Sequence, residues 1–307
     1  MQSLQTTETG VSRPALKALF LASQDVKQSS RDLYDRTIKP FFTWIDKVEL
    51  PLTEVNRVEL LKYKQFLLDK GLSPLTIGGY LTAVRKFFEW AEANKYYPNV
   101  AKGIKSPKRT QQFKKQALSN DVSKELLTYF QGKALRDYAV VNLLIRTGLR
   151  TIEASRADIE DITFKAGKRV LLVHGKGRDS KDSFVVLTDK AYLPIANYLT
   201  TRKRAKDKDP LFISTSNNSK GQRLTTRTIS SIVKEGLRAI GVDSKEYTAH
   251  SLRHTTAINI LKAGGSLSDA QDVLRHQSPN TTQIYTDAIK EEIRLERAPE
   301  ELIDTMF

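Results

Sequence analysis

Not one of the 307 residues is cysteine. That excludes a disulfide scaffold, a thiolate nucleophile and any Cys-ligated zinc or iron–sulfur centre, and it suits a reducing cytoplasm. Long apolar runs are missing too: no stretch approaches the ~18 residues a membrane helix needs, and candidates such as Ala139 to Ile145 are core-sized. The N-terminal stretch Met1 to Gly10 is polar and slightly acidic, unlike a secretory signal. Histidine is scarce, with four residues. Acidic residues are in deficit, 35 against 50 Lys plus Arg, which leaves a net charge of +15 and a pI near 9.7. A balance this basic favours a polyanionic partner, and without a basic amphipathic anchor nucleic acid is favoured over a membrane surface.

The charge is unevenly spread. Residues 102–115 read KGIKSPKRTQQFKK, with six basic side chains and no acid, so two-fifths of the net charge sits in fourteen residues. Gly103, Pro107 and the lack of apolar periodicity mark an extended basic linker. Lys102, Lys105, Lys108, Arg109, Lys114 and Lys115 are its candidate DNA contacts, each cation displacing counterions condensed on a phosphate backbone.

The length suggests two domains, and the linker divides two different patterns. Before it, residues 20–101 read as all-helical, after an N-terminal extension of residues 1–19. Ser30 is placed to cap a helix through Leu33, Ile38, Phe41, Phe42 and Trp44, with Pro40 as a potential kink. Thr53 is placed to cap a second, with Val55, Val58, Leu61 and Phe66 on one face and Gly71 as its stop. Ser73-Pro74 opens a third by cap and first-turn proline, with Leu81, Val84, Phe87, Phe88 and Trp90 as its stripe. After the linker, residues 116–290 mix helices with three short strand-like runs, 162–164, 169–174 and 183–187, the first two joined at Ala166-Gly167. The fold class expected is mainly α with a small antiparallel sheet.

Three of the four histidines fall within 27 residues: His250, His254 and His276, in the strings HSLRH and RHQSPNTTQIYT. No metal site is expected, because His-Glu-x-x-His spacing is absent and an arginine sits among the would-be ligands. With Arg253 the histidines form a donor cluster suited to an oxyanion or phosphate. Upstream, TGLRTIE sets Arg150 just past a glycine break, with Glu153 three residues on to hold its guanidinium. Gly175-Lys176-Gly177-Arg178 offers a lysine at a hairpin tip but lacks the full phosphate-loop pattern.

Arg150, Lys176, His250, Arg253, His276 and Tyr285, in that order and with their flanking text, resemble the tyrosine recombinase (phage integrase) family, especially its Xer-like and mobile-element members. The resemblance runs from about residue 20 to residue 290. It implies a helical core-binding (SAM-like) domain and a mixed α+β catalytic domain that clamp duplex DNA, with no room for an arm-site domain. It implies Tyr285 as nucleophile, Arg150, Arg253 and His276 on the phosphate oxygens, His250 as base, Lys176 as leaving-group acid, and Glu153 and His254 in support. It further implies strand exchange through a 3′-phosphotyrosyl bond and a Holliday junction, with no cofactor. A homotetramer on two synapsed sites would do this in the cytoplasm, leaving room for accessory proteins or a second recombinase. Type IB topoisomerases share the chemistry, so a DNA-relaxing enzyme and a non-catalytic DNA-binding accessory protein stand as alternatives.

Three departures from the family pattern stand out. Arg275 occupies the place of the usual glycine in Leu-Gly-His, Lys181 rivals Lys176 within GKGRDSKDS, and the tail after Tyr285 lacks a His-Pro ending. In that tail, residues 291–307, Leu302, Ile303, Met306 and Phe307 share one helical side suited to docking on a neighbouring protomer.

Overall fold

The computed structural model describes residues 12–108, 116–174, 180–276, 282, 283, 285, 289, 290, 300–304 and 306. The chain divides into two compact units, Met1–Gln112 and Phe113–Phe307.

The first unit is built from α1 (Arg13–Ala22), α2 (Gln28–Lys47), α3 (Arg57–Asp69) and α4 (Pro74–Ala93). The last of these begins as its sequence dictates: Ser73 accepts the Thr76 amide, Pro74 occupies the first turn, and Ile77, Leu81, Val84, Phe87 and Phe88 are buried. Phe20, Phe41, Phe87, Phe88 and Tyr63 meet edge-to-face at ring separations of 5.3 to 5.9 Å.

Four expectations change here. α1 contributes buried Leu16 and Phe20, so residues 13–19 belong to this core and are not an extension. α2 begins at Gln28, ahead of Ser30, and continues unbroken through Pro40 because Ile38, Phe41, Trp44 and Ile45 bury one face on both sides of it. α3 is capped by Asn56, whose side chain accepts from the amides of Val58 and Glu59, while Thr53 lies in the preceding 3-10 turn. Its buried face is Leu60, Tyr63 and Leu67, whereas Val58 and Leu61 are exposed.

The start of the basic segment is also held by this unit. Ile104 is buried, the Arg57 guanidinium donates to the Lys102 carbonyl, and Arg85 Nη1 donates to the Ile104 carbonyl at 2.7 Å. Lys102, Lys105 and Lys108 are exposed, and Arg109, Lys114 and Lys115 lie outside the described residues.

The second unit contains α5 (Asn120–Gln131), α6 (Leu135–Thr147), α7 (Thr151–Arg156), a sheet, α8 (Asp189–Thr200), α9 (Thr226–Ala239), α10 (Ala249–Lys262) and α11 (Leu267–Leu274). The sheet runs β1 (Ile162–Lys165), β2 (Lys168–Val173), β3 (Ser183–Val186), all antiparallel, with Ile162 opposite Leu171 and Val170 opposite Val186. Ala166 and Gly167, at φ 47° and 75°, form the two-residue turn that antiparallel twist favours. Leu126, Val140, Leu144, Leu171, Phe212 and Leu252 are among the residues of one buried core. This is the mainly α fold with a small antiparallel sheet that the pattern implies.

Candidate active site

The site starts where α6 stops. Gly148 takes the left-handed conformation, φ 60°, and a Cβ there would sit 2.6 Å from Leu274 Cδ2. Thr147-Gly148-Leu149 therefore turns tightly enough to bring Arg150 to the start of α7. Glu153 grips that arginine twice: the Arg150 amide donates to Oε2 and its Nη1 to Oε1, both at 2.8 Å. An Arg-x-x-Glu pair is usually a surface contact of small value, but Glu153 here is 1% exposed. Arg275 adds a third bond from Nη2 to Oε2 at 2.7 Å. Burial pushes the Glu153 carboxyl up, but Arg275 and the bonds from Arg150 outweigh it and hold it below the ordinary carboxylate range.

α10 carries His250, Arg253 and His254. The first and second are three residues apart, yet His250 is exposed while Arg253 is 1% exposed. The Arg253 guanidinium donates to the carbonyls of Gly148 and Leu274, tying the end of α6 to the end of α11. Burial, then Arg150 and Arg275, bring its pKa down to about 9.

Beyond α11, Arg275 is itself left-handed, φ 54°. His276 follows, with Nδ1 2.8 Å from the hydroxyl of buried Thr282. Tyr285 is buried against Ala257 and Leu274. Its ring stacks 6.3 Å from that of His276, 9° from parallel, and lies 5.1 Å from His254, which in turn meets His250 at 4.6 Å. Burial raises the phenol's pKa, with Arg253 and Arg150 pulling it back only in part.

The residues expected from the motifs are thus gathered: Arg150, Glu153, His250, Arg253, His254, His276 and Tyr285. Lys176 lies outside the described residues. Its rival Lys181 is held between Asp161 at 2.6 Å and Asp158 at 3.1 Å. Sequence reasoning assigned no role to Thr282 or to Arg275 on Glu153. The first sits inside the TTQIYT match, and the only signal of the second is an arginine where the family carries glycine. Among the described residues no group of three or more His, Cys, Asp or Glu could hold a metal ion.

Two imidazoles make a pH prediction. Burial first, then neighbouring charge, pushes His254 and His276 down to about 4; His250 and Arg253 act on the former, and Arg253, Arg150 and Arg275 on the latter. The unfolded chain takes up protons near pH 6.5 that the fold refuses, so stability is complete above about pH 6.5 and falls as the pH drops towards 4. Between pH 7 and 5 we expect a loss of ~1–2 kcal/mol after solvent screening, before paired carboxylates titrate. Urea midpoints at pH 7, 6 and 5 measure it, and His254→Gln should flatten the slope. A midpoint unchanged across that range would mean both rings accept protons in the folded protein.

The "Phage integrase family" model matches residues 116–292, and the "Phage integrase SAM-like domain" matches residues 20–103. Tyrosine recombinase XerC of Corynebacterium glutamicum is 30% identical over 243 residues, 76% of each chain. Among solved structures, the XerH site-specific recombinase bound to a palindromic difH substrate superposes with a TM-score of 0.75 at 21% identity, over 96% of this chain and 86% of that one. A lambda integrase tetramer bound to a Holliday junction gives 0.67 at 17% identity, over 88% and 74%. With the arginines, the histidines and the tyrosine gathered in one cluster, and the family model spanning most of the second unit, this chain belongs to the phage integrase family and is a site-specific tyrosine recombinase.

Proposed function

We propose that the chain cleaves and rejoins duplex DNA by attack of the Tyr285 phenol on a backbone phosphorus. The observation that carries this is the convergence of Arg150, Arg253 and His276 on the tyrosine's surroundings, where both arginines act on the ionisation of Tyr285 and of His276. Guanidinium forks from Arg150 and Arg253 bind the non-bridging oxygens and stabilise the charge that builds there in the pentacoordinate transition state. His276 is neutral at pH 7 and has Nδ1 on the Thr282 hydroxyl; in the tautomer this reading requires, Nδ1 accepts and Nε2–H donates to the same oxygens. The buried phenol holds its proton tightly, so attack requires a base, and His250 takes that part. A P–O bond forms to Tyr285 as the bond to the 5′ oxygen breaks, and Lys176 protonates the departing oxygen. Lys181 suits that step less, since Asp161 and Asp158 outweigh burial and raise its pKa, which makes it a weaker acid.

The phosphotyrosyl bond retains the energy of the phosphodiester, so a 5′ hydroxyl from another strand can attack it and exchange strands. We infer a cytoplasmic homotetramer on two synapsed duplex sites, an arrangement supported by the lambda integrase tetramer on a Holliday junction. In the tail, Ile303 and Met306 are 55% and 80% exposed, which supports docking on a neighbouring protomer over packing in cis. A nicked suicide substrate tests the chemistry: a covalent protein–DNA adduct should accumulate. Exchange between two sites distinguishes recombination from relaxation of supercoils, and absence of any adduct would leave only DNA binding.

The basic segment should grip DNA without reading it. Replacing Lys108, Arg109, Lys114 and Lys115 with glutamine should weaken site and non-site DNA alike. It should also flatten the log–log salt dependence of affinity by up to about 0.9 per lost phosphate contact. Titrations at four salt concentrations measure this, and an unchanged slope would reduce the segment to a solvated tether.

A further inference from the structure

Arg275 stands out on three counts. Its backbone is left-handed, φ 54°, a conformation that glycine adopts freely and an arginine resists. Its side chain turns inward, only 10% exposed, although a cation at that chain position has solvent within reach. The guanidinium then ends on the same carboxylate that holds Arg150, with Nη2 2.7 Å from Glu153 Oε2 and Nη1 2.6 Å from the Val273 carbonyl. The contact spans 122 positions of sequence and joins the end of α11 to the first turn of α7.

The consequence is one of charge and aim. Around the pocket stand three guanidinium groups, Arg150, Arg253 and Arg275, and one buried carboxylate, Glu153. Without Arg275, Glu153 would neutralise one of the two arginines proposed to face the phosphate, and Arg150 alone would hold its carboxylate. With it, Oε2 takes a second bond beside that of the Arg150 amide, and the cluster retains the charge of two cations.

We propose that Arg275 is a positioning residue for DNA cleavage: by bonding Glu153 Oε2, the oxygen that also accepts the Arg150 amide, it fixes the carboxylate that holds the Arg150 guanidinium and offsets its negative charge. This rests on the reading that Arg150 binds the scissile phosphate.

Two substitutions separate charge from backbone. Arg275→Gly relaxes the left-handed residue but removes the cation. Arg275→Lys keeps the cation on Glu153 and the backbone cost. In single-turnover cleavage of a nicked suicide substrate, Arg275→Gly should be slower by about tenfold, less than loss of a direct oxyanion donor. Its DNA affinity should stay within about threefold of the parent, because the Arg275 guanidinium is spent on Glu153 and the Val273 carbonyl and is 10% exposed. Arg275→Lys should recover most of the rate. Cleavage by Arg275→Gly at or above the parent rate, or a loss in Arg275→Lys as deep as that in Arg275→Gly, would overturn the proposal.

A second readout is independent of activity. NMR titration of His276, assigned with His276→Asn, reports the field of Arg253, Arg150, Arg275 and His250 on that ring. Its midpoint should rise in Arg275→Gly and stay in place in Arg275→Lys. A midpoint that does not move in Arg275→Gly would refute the charge argument. Should the parent protein form no adduct at all, the functional reading fails while this titration still decides whether Arg275 sets the local field. Should Arg275→Gly not fold, a lysine variant that loses the rate or shifts the midpoint overturns the proposal alone.

Discussion

Tyr285→Phe should bind its DNA site with affinity within about twofold of the parent and yield no covalent adduct at any time. The ring it retains preserves most of what the tyrosine does for the fold. It still packs on Ala257 and Leu274, stacks on His276 at 6.3 Å and meets the edge of His254 at 5.1 Å. What it loses is the oxygen we propose as the nucleophile, so the expected effect is total. Gel shift and denaturing electrophoresis of the same reaction measure the two halves. A persistent adduct in this variant would move the nucleophile to another residue.

Arg253→Lys carries the next largest effect, because one guanidinium performs two tasks. In the protein it satisfies the carbonyls of Gly148 and Leu274, deep in the site. On DNA its remaining donors would face a phosphate oxygen. A lysine ammonium has no planar fork and cannot reach two carbonyls and an oxyanion together. We expect cleavage to fall by about 10²–10³-fold. Stability should fall by ~1–3 kcal/mol, as one buried carbonyl loses its donor, which in a unit of this size lowers the melting temperature by roughly 2–12 °C. Thermal unfolding and single-turnover cleavage at a temperature where both proteins are folded give the two numbers. Parent-like cleavage would assign Arg253 to the fold alone.

Where the chain announces its own structure, it does so through local chemistry. Ser73-Pro74 reads as a helix start because cap and proline act within one turn, and the structure begins α4 there. The strand runs around Ala166-Gly167 read as a hairpin for the same reason. The buried face of α3 is not legible because apolar residues lie on more than one of its faces: Val58 and Leu61 repeat as regularly as Leu60, Tyr63 and Leu67, and only the packing of α2 and α4 decides which set is buried. α1, RPALKALFLA, is apolar at seven of its ten positions, so periodicity marks no single face, and only the core selects Leu16 and Phe20. In the site, Arg150 with Glu153 is legible at a spacing of three residues. The bond from Arg275 to the same carboxylate is not, because 122 residues separate the partners and no periodicity links them.

The two units' anchors lie closer along the chain than the ends of the basic segment. Ile104 is pinned in the first unit, and the amides of Gln116 and Leu118 are bonded to the Glu246 carbonyl and the Thr255 hydroxyl in the second, which leaves eleven residues, 105–115, between the anchors. Fully extended, they reach about 36–40 Å, more than the width of a duplex. For two units that grip the same DNA, a tether of this length sets an effective concentration on the order of millimolar for the second grip once the first is made. Two individually weak contacts then act as one strong one, and a single proteolytic cut in the tether would dissolve that avidity while leaving every contact residue in place.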